Sequence, residues 1–418
     1  MTSTFVKSLP LAGNRYNGLD AVRAFALMIG IVFHGVESFV SFIPPMVWAV
    51  KDSQSPVVID VFFFVSHVFR MQAFFLVAGF FARMVYLKNG LRSFILQRLK
   101  RIALPLILFW PLVYTSIVAL WTWGISLQGI PPGNPLTPAA VLESSIHTLI
   151  SGQWLSEGFP WTHLWFLYTL LWIYALFLAT HALFKNWWDA NGRWRNVISK
   201  AFAIVISRPG GSLVLALPTI PFMLMMNNGF GVESPDHGLI PHLPSFVIYL
   251  YYFLLGWTLH RNAHLVEMFT MYRILNSLLG IVLITIVTSM FLSIVYHPQF
   301  GPALGSSYVW VARLYNTLYA LASMTAMFGF IGMMLHYFSK ASATIRFLAD
   351  ASYWMYLIHL PVVVFFQILV APLDIHWLFK VVLVITPSFA ILLLSYQFLV
   401  RFTWVGRLLN GRKRVVTT

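Results

Sequence analysis

Asp20-Ala-Val-Arg23-Ala-Phe-Ala-Leu-Met-Ile-Gly30-Ile-Val-Phe-His34-Gly-Val-Glu37 is an apolar run in which charged and polar residues recur at helical spacing. With its flanks it has about the 20 residues that a membrane-crossing helix needs. At about 100° per residue, the eleven steps from Arg23 to His34 turn roughly three circles plus 20°, so both side chains leave one face, about 16 Å apart along the axis. A cation then lies at one membrane edge and an imidazole past the middle. Ionisable groups are costly there and mark either a protein partner or a function. Asp20, Arg23, Leu27, Gly30, His34 and Glu37 form a single stripe, and Gly30 opens a groove between its charged end and the imidazole. Two plainer readings compete: Asp20 and Arg23 as a headgroup-level ion pair, and His34 as a core histidine bonded to a carbonyl.

The rest of the chain repeats this pattern of long apolar runs. Of its 418 residues, 59% are hydrophobic and only 9% are charged, which excludes a soluble globule. Runs long enough to cross a bilayer fall near 21–41, 57–85, 102–124, 161–184, 209–227, 244–260, 274–296, 309–337, 350–371 and 377–402. The expected fold is an all-α, polytopic membrane bundle of about ten helices, a single membrane-embedded domain over 1–418 with no separate soluble domain. The first run lacks a small-residue cleavage pattern and carries Arg23 near its start, so it is expected to remain as a helix. The Pro- and Gly-rich connection near 125–160 reads as a loop.

Basic residues set the topology, because Lys and Arg in short loops stay cytoplasmic. Alternate connections carry Lys7 to Arg23, Arg83 to Arg101, Lys185 to Arg208, Arg261 and Arg273, Lys340 and Arg346, and Arg401 to Arg414. The opposite side has Lys51 alone outside the apolar runs, so both termini are expected in the cytoplasm. The net charge of +15 follows from this topology and from attraction to anionic lipids, and no nucleic acid is needed as a partner. There is no cysteine, so thiol catalysis, disulfides and Cys-ligated zinc are excluded. No metal site is expected either, since His34, His67, His163 and His359 lack local ligand spacing. The sequence leaves a homo-oligomer open.

Two further cation sites stand out. Arg70 lies deep in the second run and needs an anion: Glu37 or Asp60 as a structural partner, or a substrate carboxylate or phosphate. Arg98 and Arg101, three residues apart, share a helical face and suit two phosphate oxygens or phosphates, although a basic cytoplasmic loop is also an ordinary topology signal.

The Arg-x10-His pattern of Arg23 and His34, the Arg-x-x-Arg of Arg98 and Arg101, His163-Leu-Trp165-Phe-Leu, and Ser352-Tyr353-Trp-Met-Tyr356-Leu-Ile-His359-Leu-Pro361 together resemble the membrane acyltransferase-3 family over nearly the whole chain. Within that family, Phe69-Arg70-Met-Gln-Ala-Phe-Phe-Leu-Val-Ala-Gly-Phe-Phe-Ala is similar to a branch associated with succinyl modification of osmoregulated periplasmic glucans.

The resemblance implies an enzyme of the bacterial inner membrane that transfers an acyl group from cytoplasmic acyl-CoA, succinyl-CoA or acetyl-CoA, to a hydroxyl of a periplasmic glycan. Arg23, Arg98 and Arg101 would then meet the CoA phosphates, and Arg70 the free carboxylate of a succinyl group. His34 would act as general base or be acylated itself, with Glu37 orienting it. His163, Trp165, Tyr356 and His359 would serve the acceptor. Trp154, Trp161, His163 and Trp165 are expected together on the far side, where rings suit either sugar stacking or an interfacial aromatic belt. Ser352, Tyr356 and His359 share a face and alternatively bond neighbouring helices. O-acetylation of another envelope polysaccharide, or transport of a polar lipid or sugar, are the competing functions.

Overall fold

The structure is a computed structural model and describes residues 16–129, 136–155, 158–183, 189, 191–226 and 229–411. Among these there is no named β-strand, only isolated bridges at Pro45–Trp48 and Pro160–His237. The long helices are α1 (Asn17–Gly35), α2 (Val57–Arg98), α3 (Leu104–Leu127), α4 (Trp165–Leu183), α5 (Leu243–Arg261), α6 (Arg273–Tyr296), α7 (Tyr308–Tyr337), α8 (Ala343–Val370) and α9 (Trp377–Ser395). The protein is an all-α polytopic membrane bundle, and among the described residues eight helical stretches are long and apolar enough to span.

One of the eight, Val57–Leu127, runs for 71 residues through α2, a π turn at Leu99–Ala103 and α3. At 1.5 Å per residue that is about 105 Å, more than three times a hydrocarbon core of about 30 Å. It cannot be one crossing. Gly90, at φ 73 and ψ 171, breaks the helix, and the expected runs 57–85 and 102–124 lie on either side of it. Only glycine takes that backbone conformation without strain. The expected run 209–227 is the short apolar helix Gly211–Met223, 13 residues rather than a full span. Ten crossings with both ends cytoplasmic therefore stands as a topological proposal. The connection near 125–160, expected as a loop, contains a helix at Pro138–Ser151, because Pro138 fits the first turn and Thr137 caps it by accepting from Ala140 N.

The helix carrying the opening motif is the interior one. Its apolar window is 67% buried, against 22% for the stretches Arg273–Tyr296 and Trp377–Val400, which turn most of theirs to lipid. Helix α1 packs on α2, α7, α8 and α9, which keeps its polar stripe inside the bundle. Alongside it, α2 and α5 meet at backbone distance: a Cβ on Gly79 would overlap the Phe253 carbonyl, and one on Gly256 the Leu76 carbonyl. Small residues facing backbone in this way are how membrane helices approach without a hydrophobic driving force.

The connection between α1 and α2 is pinned back onto α9. Lys380 Nζ donates to Asp52 Oδ2 at 2.8 Å and to the Ala371 carbonyl at 3.0 Å, and both charged side chains are 1% exposed. Such a pair persists only with its remaining valences satisfied. Here Asp52 also accepts from Gln54 N, and Gln54 Oε1 accepts from Trp377 N.

Candidate active site: a chamber around His34

A cavity of about 1440 Å³ opens beside α1. Arg23 and His34 both line it, as their spacing on one helical face requires. Arg23 also pairs with Asp20 at 3.6 Å, so the headgroup-level ion pair and the cavity position coexist. Helix α1 stops at Gly35, and the 3-10 turn Glu37–Phe39 swings Glu37 back under the imidazole. His34 Nδ1 and Glu37 Oε2 are 2.8 Å apart. The carboxylate thus fixes the ring's orientation and leaves Nε2 for chemistry.

Two residues with no signal in the sequence complete this end. Gln367 of α8 donates from Nε2 to the His34 carbonyl (2.8 Å) and the Gly35 carbonyl (3.0 Å), satisfying acceptors that the end of α1 would strand. Its Oε1 accepts from Trp48 Nε1 at 2.9 Å. Trp48 lies nearly parallel to the His34 ring, 8° between planes and 6.2 Å between centroids.

Arg70 departs from its expected structural role. It is 6% exposed, lines the cavity and stands 4.4 Å over the Phe33 ring. Neither expected carboxylate hydrogen-bonds it, although Glu37 lies near enough to attract it electrostatically. Asp60 accepts from Ser41 N (2.8 Å), Ser41 Oγ (2.5 Å) and Tyr296 OH, and Glu37 is held by His34. Arg70 Nη1 is buried with no hydrogen-bond partner. A Cβ on Gly30 would sit 3.1 Å from that atom, so the space Gly30 opens is filled by the guanidinium and is not an empty groove.

Arg98 and Arg101 also line the cavity, but the turn between them is π rather than α, because Leu99–Ala103 winds one residue wider. Arg98 stacks on Phe94 and Tyr174 and donates to Tyr174 OH at 3.3 Å. The Arg101 carbonyl accepts from Tyr353 OH at 2.5 Å, tying this turn to α8.

His163, Trp165, Tyr356 and His359 line the same cavity. The expected gathering on the far side holds only in part. Trp154 packs with Trp110, Tyr114 and Phe159, and Trp161 stacks on Tyr168 at 3.9 Å and donates to the Gly238 carbonyl. His163 instead turns inward, its ring 4.7 Å from His359, which is 5.2 Å from His34. Tertiary bonds hold it there: its Nε2 donates to the Leu357 carbonyl (3.2 Å), and its own carbonyl accepts from Tyr356 OH (2.7 Å). Trp165 is 8% exposed and leans on Tyr249 and Phe75. Ser352 Oγ bonds only its own helix, at Ala349 O.

His67 also lines the chamber, donating from Nε2 to the Val232 carbonyl at 3.2 Å. Its position one turn before Arg70 was the available signal for it. The four imidazoles are drawn together from distant segments, yet among the described residues no three His, Asp or Glu side chains are gathered to hold a metal ion.

Residues 16–396 match the family described as the acyltransferase domain, acyltransferase 3. The chain is similar to glucans biosynthesis protein C of Escherichia coli (strain K12), 24% identical over 409 residues that cover 96% of each chain. The protein of that name from Shigella dysenteriae serotype 1 (strain Sd197) aligns with the same identity and coverage. No solved structure matches. With the match running from the start of α1 to beyond the end of α9, this multi-pass inner-membrane protein belongs to the acyltransferase-3 family.

Proposed function

We propose that the protein moves a succinyl group from cytoplasmic succinyl-CoA to a hydroxyl of a periplasmic glycan, an osmoregulated periplasmic glucan. The observation that carries this reading is one chamber with three roles along its wall. Arg23, Arg98 and Arg101 would neutralise the CoA phosphates, Arg70 would take the succinyl carboxylate, and His34 would perform the transfer. At about 1440 Å³ the chamber exceeds the roughly 300–1,000 Å³ of an ordinary ligand pocket, in keeping with two substrates. Arg70 Nη1, buried with no hydrogen-bond partner, favours a dicarboxylic acyl group, because a charge-assisted hydrogen bond from a carboxylate would satisfy it. The names of the relatives favour the glucan acceptor.

In this reading His34 Nε2 takes the proton of the acceptor hydroxyl as its oxygen attacks the thioester carbonyl. The C–S bond then breaks, and the proton passes from Nε2 to the leaving thiolate. Glu37 keeps Nδ1 protonated and balances the imidazolium between the two steps.

The test uses inverted membrane vesicles carrying wild type, His34→Ala or Arg23→Ala, with glucan enclosed in the lumen and radiolabelled succinyl-CoA or acetyl-CoA added outside. Succinyl transfer by wild type and its loss in both variants is the expected result. Preference for acetyl-CoA would instead favour O-acetylation of an envelope polysaccharide. Absence of transfer from either donor by well-inserted wild type would overturn the reading in favour of transport.

A further inference from the structure

Three imidazoles meet in the chamber, and in each of them one nitrogen is already committed. His34 Nδ1 is held by Glu37, His359 Nδ1 donates to the Tyr356 carbonyl at 2.8 Å, and His163 Nε2 donates to the Leu357 carbonyl at 3.2 Å. A ring nitrogen facing a carbonyl or carboxylate carries the proton, so in the neutral ring the other nitrogen is a bare lone pair. The partners therefore assign acceptor character to His34 Nε2, His359 Nε2 and His163 Nδ1. His34 uses its lone pair in the reaction. The other two have no part in it.

His163 Nδ1 is buried and has no hydrogen-bond partner, on a side chain 8% exposed that lines the chamber. A stranded acceptor costs about 1–3 kcal/mol and is expected to meet a donor when the chamber is filled. The oxygens of the acyl group cannot supply one. Hydroxyl groups of the acceptor can, and so can a pantetheine amide N–H.

We propose that His163 Nδ1 and His359 Nε2 form a hydroxyl-binding subsite beside His34, which holds a second hydroxyl of a polyhydroxylated acceptor while His34 deprotonates the reacting one. The subsite rests on the acyl-transfer reading above. It makes the acceptor a polyol such as a sugar ring, chosen by its non-reacting hydroxyls. The ring spacings of 5.2 Å (His34 to His359) and 4.7 Å (His359 to His163) are of the size of a single sugar unit.

The test exploits the fixed tautomers. His163→Gln places an amide where Nε2–H stood and can keep the bond to Leu357, while His359→Asn does the same for the Nδ1–H bond to Tyr356. Both remove the ring nitrogen that carries the lone pair, and the amide oxygen that comes with them sits away from its place. Full-length protein in membranes is given labelled succinyl-CoA and one of two acceptors, methyl glucoside or cyclohexylmethanol, which share a six-membered ring and a primary hydroxyl. Only the glucoside has further hydroxyls. In each variant the ratio of kcat/KM for glucoside over cyclohexylmethanol should fall about 10-fold, as expected for one lost hydrogen bond. The KM for succinyl-CoA is measured alongside in each variant.

An unchanged ratio would overturn the subsite. A raised KM for succinyl-CoA with an unchanged ratio would give the lone pairs to the pantetheine amide and overturn it equally. If wild type transfers acyl groups to neither alcohol nor glucan, the underlying reading falls and the subsite with it. Because the readout is a ratio within one preparation, partial misfolding of a variant does not imitate it.

Discussion

Glu37 reaches His34 because α1 ends one residue after the imidazole and a 3-10 turn follows. In the proposed mechanism the chemistry here would depend on a single hydrogen bond and its charge. In Glu37→Gln an amide oxygen can still accept from Nδ1–H, but the charge that balances an imidazolium is gone. The expected outcome is a fall in kcat of roughly 10² or more with KM for the donor unchanged, read from initial rates of transfer. In the proposed reaction Arg70 would separate the donors. Its guanidinium, buried over Phe33 without a hydrogen-bond partner for Nη1, would serve a carboxylate that succinyl has and acetyl lacks. Arg70→Gln should lower kcat/KM for succinyl-CoA about 10- to 100-fold relative to acetyl-CoA, the worth of a charge-assisted hydrogen bond of about 1.5–3 kcal/mol. Equal loss with both donors would return Arg70 to a structural role.

Helices are held by different means at different points along one element, and α2 shows two of them. At Gly79 it touches the backbone of α5, where any Cβ meets the Phe253 carbonyl and the helices must part. At Gly90 nothing lies within 4 Å of an added Cβ, and the only cost of a side chain is its positive φ. Thermal unfolding in detergent should therefore order the variants. Gly79→Ala and Gly256→Ala are expected to lose about 1–3 kcal/mol or more, as overpacking does. Gly90→Ala, which meets no neighbour, is expected to lose about 1–3 kcal/mol and no more, the strain of a backbone region that essentially only glycine occupies. The π turn at Leu99–Ala103 is a third local device. It sets the directions of Arg98 and Arg101 beyond the kink at Gly90, and the three-residue spacing by itself does not disclose it.

For the whole molecule the question is which end of the chamber meets which side of the membrane. Arg23, Arg98 and Arg101 mark one end, and Asn17 Nδ2 bonds the Ser339 carbonyl there at 3.4 Å, which puts Lys340 at the same level. Met46, 58% exposed in the connection beyond His34, lies past the other end of α1. The absence of cysteine makes a clean experiment possible, since an introduced thiol is the only one. With a membrane-impermeant thiol reagent, Met46→Cys should label in intact spheroplasts and Lys340→Cys only in inverted vesicles. The reverse pattern would put the arginines on the side without CoA and would remove the donor geometry.

The class, the apolar runs and the stripe on α1 are legible in the order of residues alone. Composition and a period of 3.6 residues are local properties, fixed before any helix meets another. The same order also tells which residue types to watch, since Arg23, His34, Glu37, Arg70, Arg98, Arg101, His163, Trp165, Tyr356 and His359 all border one chamber. Only the tertiary structure decided that they share it. Gln367 caps the helix of His34 from 333 residues away, Trp48 covers the ring, His163 turns inward to His359, and Arg70 occupies the space beside Gly30. None of these contacts follows from periodicity. Each depends on how helices distant in the chain pack, and packing alone decides which buried charge finds a partner and which is left for a substrate.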